Sequence, residues 1–147
     1  MKSSFLIAVA ALTAAVPLFA ANESSSTENG RKLSASLSGA AERPGPGDSD
    51  GSGTATVRIN PGQGQLCYTV TYTRIAAPTA AHIHEAPATS AGPVVVPLSV
   101  GPGGVISGCA TVTRELALEI IREPGDYYVN VHNAEFPAGA IRGQLGK

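Results

Sequence analysis

Apolar and polar residues alternate along most of this chain, and the alternation predicts short β-strands. Leu33-Ser34-Ala35-Ser36-Leu37-Ser38-Gly39 puts Leu33, Ala35 and Leu37 on one face. Gly53 to Ile59 alternates in the same way, with Ala55, Val57 and Ile59 inward. Asn60-Pro61-Gly62-Gln63-Gly64 is a turn, and Gln65 to Thr73 returns as the second arm of a hairpin. Ala80 to Glu85 reads as a short strand. Val94 to Val100 reads as another, which Pro97 places at an edge or a bulge, because proline cannot donate to a ladder. Gly101-Pro102-Gly103-Gly104 turns the chain into Val105 to Thr113. Asp126 to His132 carries Tyr127, Val129 and Val131 on one face and Tyr128, Asn130 and His132 on the other. Ala140 to Leu145 closes the series.

One segment breaks the two-residue period. From Arg114 to Arg122, Leu116 with Ile120 and Leu118 with Ile121 fit a helix face, and Glu123-Pro124-Gly125 stops it. This predicts one short helix acting as a crossover or lid. The stretches between elements are rich in Pro, Gly, Ala and Asp; Ala41 to Gly51 reads as a long surface loop. Seven to eight short strands with Gly/Pro turns and a single short helix imply an all-β fold, a Greek-key β-sandwich or barrel.

The N-terminus follows different rules. Met1-Lys2-Ser3-Ser4 is short and positively charged, Phe5 to Val16 is apolar, and small residues close the run at Ala20 and Ala21. That is the layout of a secretory signal peptide over 1–21, too short for a membrane span. Asn22 to Lys32 is polar with no apolar period, which predicts a flexible leader over 22–32. Residues 33–147 then form the domain, with no further apolar run long enough to cross a bilayer. A secreted, periplasmic or extracellular location follows. The charge is near balance, 10 Lys and Arg against 11 Asp and Glu. Without a basic stripe, nucleic acid is excluded as a partner.

Two cysteines in an exported chain favour a disulfide. Cys67 shares a strand face with Thr69 and Thr71, and Cys109 shares one with Thr111 and Thr113. They can bridge if those strands approach to about 6 Å at Cα. The chain has 3 histidines. His82 and His84 project from one strand face, and His132 lies far downstream on another strand. Imidazole is the commonest neutral ligand of copper and zinc, so this set is a candidate metal site. Water or a carboxylate such as Glu85 or Glu135 would complete it, and Asn130 would orient an imidazole. The alternative is that half-exposed strand histidines only hydrogen-bond.

The segments Ala80-Ala81-His82-Ile83-His84-Glu85-Ala86, Gly92-Pro93-Val94-Val95-Val96-Pro97-Leu98, Gly108-Cys109, Tyr127-Tyr128-Val129-Asn130-Val131-His132 and Phe136-Pro137-Ala138-Gly139-Ala140-Ile141-Arg142-Gly143-Gln144-Leu145 resemble the CHRD domain. The resemblance runs from about Leu33 to Leu145. It implies an extracellular β-rich module more readily than an activity. A second resemblance is to copper/zinc superoxide dismutase, in which a His-x-His pair supplies copper ligands and an arginine guides the anionic substrate. By position it implies His82, His84 and His132 as ligands and Arg142 as guide. The zinc-site residues and the fourth copper histidine of that family have no counterpart.

Other chemistries lack their residues. There is no Gly-x-Ser-x-Gly, no Lys-Ser/Thr after a Gly-rich turn, and no evident carboxylate pair. Three readings remain in order: a binding or structural module with an extracellular protein or glycan partner, a copper- or zinc-binding module, and a reduced dismutase-like copper enzyme.

Overall fold

A computed structural model of the chain describes residues 29–147. The expected signal peptide and most of the expected leader lie outside these residues. Eight antiparallel strands form one sheet: β1 (Arg31–Ser38), β2 (Ser52–Asn60), β3 (Gln65–Thr73), β4 (Pro78–Glu85), β5 (Val94–Leu98), β6 (Val105–Thr111), β7 (Tyr127–Asn133) and β8 (Ile141–Gln144). The spatial order is β5-β4-β7-β8-β1-β2-β3-β6. The two edge strands, β5 and β6, approach each other and nearly close the sheet into a barrel. Around that ring the β3-to-β4 connection passes over β6 and β5, which makes the path a Greek key. The backbone N–H of Ser99, just after β5, donates to the Tyr68 hydroxyl of β3 at 2.7 Å and ties across the seam.

The alternation fills the interior. Val57, Ile59, Leu66, Val70, Ile83 and Val129 are fully buried, each worth roughly 1.5–3 kcal/mol against exposure. The expected hairpin forms with Asn60 opposite Gln65. Strand β5 is an edge strand, and its register against β4 slips between Ile83 and His84, so Pro97 sits where a missing N–H costs least. Strand β1 begins at Arg31, so Arg31 and Lys32 belong to the ladder opposite Ile59 and Arg58 and not to a leader. An amide ladder recruits them without any apolar side chain to signal it.

Helix α1 spans Arg114–Arg122, as the spacing predicts. The Thr113 side chain caps it by accepting from the Leu116 N–H at 3.2 Å, and Pro124 follows its end. Ala117 and Ile120 face the core, with Leu116 and Ile121 partly buried beside them. Leu118, expected on a packed face, is exposed, because the buried stripe is centred one residue away. The helix is a crossover from β6, at one edge, to β7 beyond the other side of the seam.

The barrel has two unlike outer surfaces. Over β1, β2, β3 and β6 the cross-strand rows read Lys32–Arg58–Cys67–Cys109, then Ser34–Thr56–Thr69–Ser107, then Ser36–Thr54–Thr71–Val105. In the first row Cys67 and Cys109 face each other directly and form the expected disulfide, with Cα atoms 3.9 Å apart. Over β4, β7 and β8 the rows read His84–Tyr128–Gln144 and His82–Asn130–Arg142. That second surface carries the histidines.

Candidate metal centre

Strand parity brings the three histidines together. His82 and His84 leave β4 on its outer side, and His132 leaves the neighbouring β7 on the same side, opposite Ala80. One ligand atom from each of the three lies within 4.8 Å of the others. The closest pair is Nδ1 of His82 and Nε2 of His132, 3.1 Å apart.

Backbone carbonyls fix the imidazoles. His84 Nδ1 is 2.9 Å from the carbonyl oxygen of Gly92, and His132 Nδ1 is 3.1 Å from that of Pro137. A carbonyl only accepts, so each Nδ1 carries the proton and each Nε2 presents a lone pair. For His132 that lone pair meets the His82 Nδ1–H. For His84 it meets nothing: Nε2 is buried with no hydrogen-bond partner. Gly92 approaches close enough for this contact because any side chain there would collide with the Glu85 carbonyl. Burial first, and the neighbouring imidazole His84 also, hold the His82 and His132 pKa values below the ordinary histidine range. For His132 the Pro137 hydrogen bond opposes this. His82 and His132 are therefore held neutral, the form that binds a metal.

The other expected site residues fall elsewhere. Glu85 shares parity with Ile83, not with the histidines; it pairs in register with Tyr127 and stands apart from the ligand cluster. Its position two residues beyond Ile83 shows this from sequence. Glu135 is exposed and is also outside the cluster. Asn130 is buried between His82 and Arg142 in register, with Oδ1 unpartnered, and makes no hydrogen bond to an imidazole. The orienting job it was expected to do falls to the Gly92 and Pro137 carbonyls, which no side-chain motif announces.

Arg142 departs furthest from expectation. A guide for an anion needs an exposed guanidinium, and this one is 1 % exposed. It donates to the carbonyls of Ser90 and Pro87, both at 2.9 Å, and to Gln144 Oε1 at 3.0 Å. Its Cζ lies 3.4 Å from the centroid of the Tyr128 ring, and Tyr128 stacks on His84 at 4.8 Å between centroids with 5° between planes. Since β7 lies between β4 and β8, Tyr128 stands between cation and imidazole. Arg142 thus clamps the Pro87–Ser90 loop and backs the ring that positions His84.

Sequence reasoning missed Glu42. It lies in a stretch read as surface loop, yet it is 3 % exposed, with Oε1 unpartnered. Its carboxyl packs against Gly139, whose φ of 145° and missing side chain make room for it. Burial pushes its pKa up to about 7, against the pull of the Arg142 guanidinium. The turn over Gly39–Ala41 and the Gly47 N–H to Gly39 carbonyl bond fold this loop back onto the barrel.

A family model for the CHRD domain matches residues 33–145. The chain belongs to the CHRD domain family. The match takes in all eight strands, apart from the first residues of β1, and every residue of the histidine cluster. No curated protein and no solved structure matches the chain. Among the described residues no helix is long and apolar enough to cross a membrane.

Proposed function

We propose that this CHRD domain is an exported binding module that holds one copper or zinc ion through Nδ1 of His82, Nε2 of His84 and Nε2 of His132. The observation that carries the reading is the buried, unpartnered Nε2 of His84. A buried polar atom without a partner costs roughly 1–3 kcal/mol, and a Lewis acid at that point removes the cost. The donor set agrees: three neutral imidazoles with neither thiolate nor carboxylate among them suit copper or zinc over magnesium or calcium. Metal–nitrogen bonds of about 2.0–2.1 Å in a tetrahedral site put nitrogens about 3.3 Å apart. The His82–His132 pair is already near that separation, and closing the cluster from its 4.8 Å limit asks for about an ångström of side-chain motion. On binding, the His82 proton that now bridges to His132 moves to Nε2 of the same ring, and because protonation of any of the three imidazoles competes with the metal, affinity falls as pH falls through the histidine range.

Export supports this reading through the Cys67–Cys109 disulfide, which persists in oxidising compartments. In this reading residues 1–21 are the cleaved signal peptide, and the domain acts outside the cytoplasm. The test is equilibrium dialysis of the purified domain against copper(II) and zinc(II), beside His84→Ala. One equivalent retained by the unaltered domain and lost in the variant supports the site. No stoichiometric uptake of either ion by the unaltered domain removes it.

A further inference from the structure

The outer surface of β1, β2, β3 and β6 has a chemistry of its own. These four strands contain no Asp or Glu. Lys32 and Arg58 stand opposite each other at one end of the surface, and neither side chain makes a hydrogen bond or ion pair among the described residues. Beside Arg58 lies an open groove of about 360 Å³ lined by Thr56, Thr69, Ser107 and the disulfide. The hydroxyl rows continue from there across the sheet, with neighbours about 4.8 Å apart between strands and about 6.8 Å apart along them. Val105, at the β6 edge, is the one large apolar side chain among the exposed positions of these rows.

We propose that this surface docks a uronate-bearing polysaccharide, with Arg58 and Lys32 receiving a sugar carboxylate and Thr56, Thr69 and Ser107 hydrogen-bonding the adjoining sugar hydroxyls. Charge decides the sign of the partner: unpaired cations without a competing carboxylate attract an anion, and Arg presents a planar fork that matches a carboxylate. Charge density decides its kind. Two cations beside rows of neutral hydroxyls fit a polymer with at most one charge per residue and many hydroxyls. Single-stranded nucleic acid asks for aromatic stacking platforms, which these rows lack. A membrane surface asks for four or more clustered cations or an inserted apolar face. A protein partner asks for an apolar, aromatic centre. The surface is on different strands from the histidines, so the proposal stands apart from the metal reading.

The experiment is affinity electrophoresis or calorimetry of the metal-free domain with alginate and polygalacturonate, beside neutral dextran, heparin and single-stranded DNA. The variants are Arg58→Gln and His84→Ala, with far-ultraviolet circular dichroism confirming that each is folded. We expect binding to both uronates and none to dextran. Affinity is expected to drop about fivefold in Arg58→Gln and to stay unchanged in His84→Ala. A second variant, Thr69→Glu, places a carboxylate in the groove and is expected to abolish binding. Equal retention of dextran, binding to heparin or DNA alone, no binding to either uronate, or an unaltered affinity in both Arg58→Gln and Thr69→Glu would each overturn the proposal.

Discussion

The two outer surfaces of this barrel come from the same alternation and end in opposite states. On the β1–β2–β3–β6 side, beyond the row of Lys32, Arg58 and the disulfide, most outward residues are small, neutral hydroxyls. They bond to one another, as in Thr54–Thr71 at 2.8 Å and Ser52–Thr73 at 3.0 Å, and otherwise face water. On the β4–β7–β8 side the outward residues are large and polar, and most are buried: His84, Tyr128, Asn130 and Arg142. The difference is what lies on top. Loop carbonyls from Pro87, Ser90, Gly92 and Pro137 bond down onto the second surface and leave it a layer of its own. A solvated face tolerates neutral hydroxyls with little organisation, whereas a covered polar face must satisfy every group. The few groups it leaves unsatisfied, the His84 Nε2 above all, are the places to look for function.

The contrast is broken most severely at Arg142. Arg142→Met removes three hydrogen bonds and the cation over Tyr128 while leaving the Ser90 and Pro87 carbonyls unpaired. It is expected to cost about 3–5 kcal/mol in urea denaturation, with metal affinity falling as His84 loses its backing ring. On the open side the largest lever is covalent. The disulfide closes a loop with a sequence separation of 42, and the double Cys67→Ser/Cys109→Ser variant is expected to lose about 2–4 kcal/mol by the same assay.

Glu42 sharpens the comparison through pH. Its folded-state pKa is pushed up to about 7, so it is held protonated where the unfolded carboxyl would ionise. Its stabilising contribution is complete below the ordinary carboxylate range and is lost as pH rises through about 7. Glu42→Gln abolishes this loss, so the variant is expected to gain about 1–2 kcal/mol over the unaltered domain between pH 5 and pH 8. His82 and His132 act in the opposite sense. Their pKa values are lowered, so their contribution is present above the ordinary histidine value and lost as pH falls below it. Denaturation midpoints measured across that range separate the two. The smallest effect is expected at Thr54→Ala, on the bare hydroxyl surface. Less than about 0.5 kcal/mol should separate it from the unaltered domain in urea.

How much of this was legible in the sequence divides along the same line. Period-two alternation identified the strands, the hairpin and the outward Cys67, because each rests on local geometry. His82 and His84 were legible as a pair through parity, and His132 joins them because β7 pairs with β4. Covered surfaces were not. Tyr128 and Asn130 read as the less apolar face of their strand and Arg142 as a guide for an anion, since alternation reports direction and not what a distant loop lays across it. Glu42 read as loop surface for the same reason. The carbonyls that fix the tautomers belong to Gly92 and Pro137, whose side chains carry no signal for the job.

The central claim concerns three nitrogen atoms, and imidazole ¹⁵N spectra read them directly. Long-range ¹H–¹⁵N correlations of the metal-free domain are predicted to show His84 and His132 protonated at Nδ1. One equivalent of zinc(II) is then predicted to shift Nε2 of His84, Nε2 of His132 and Nδ1 of His82, and to leave the Nδ1 protons of His84 and His132 in place. Imidazole signals that do not move at saturating zinc(II) or, by the same measurement, at saturating copper(I) would contradict the account.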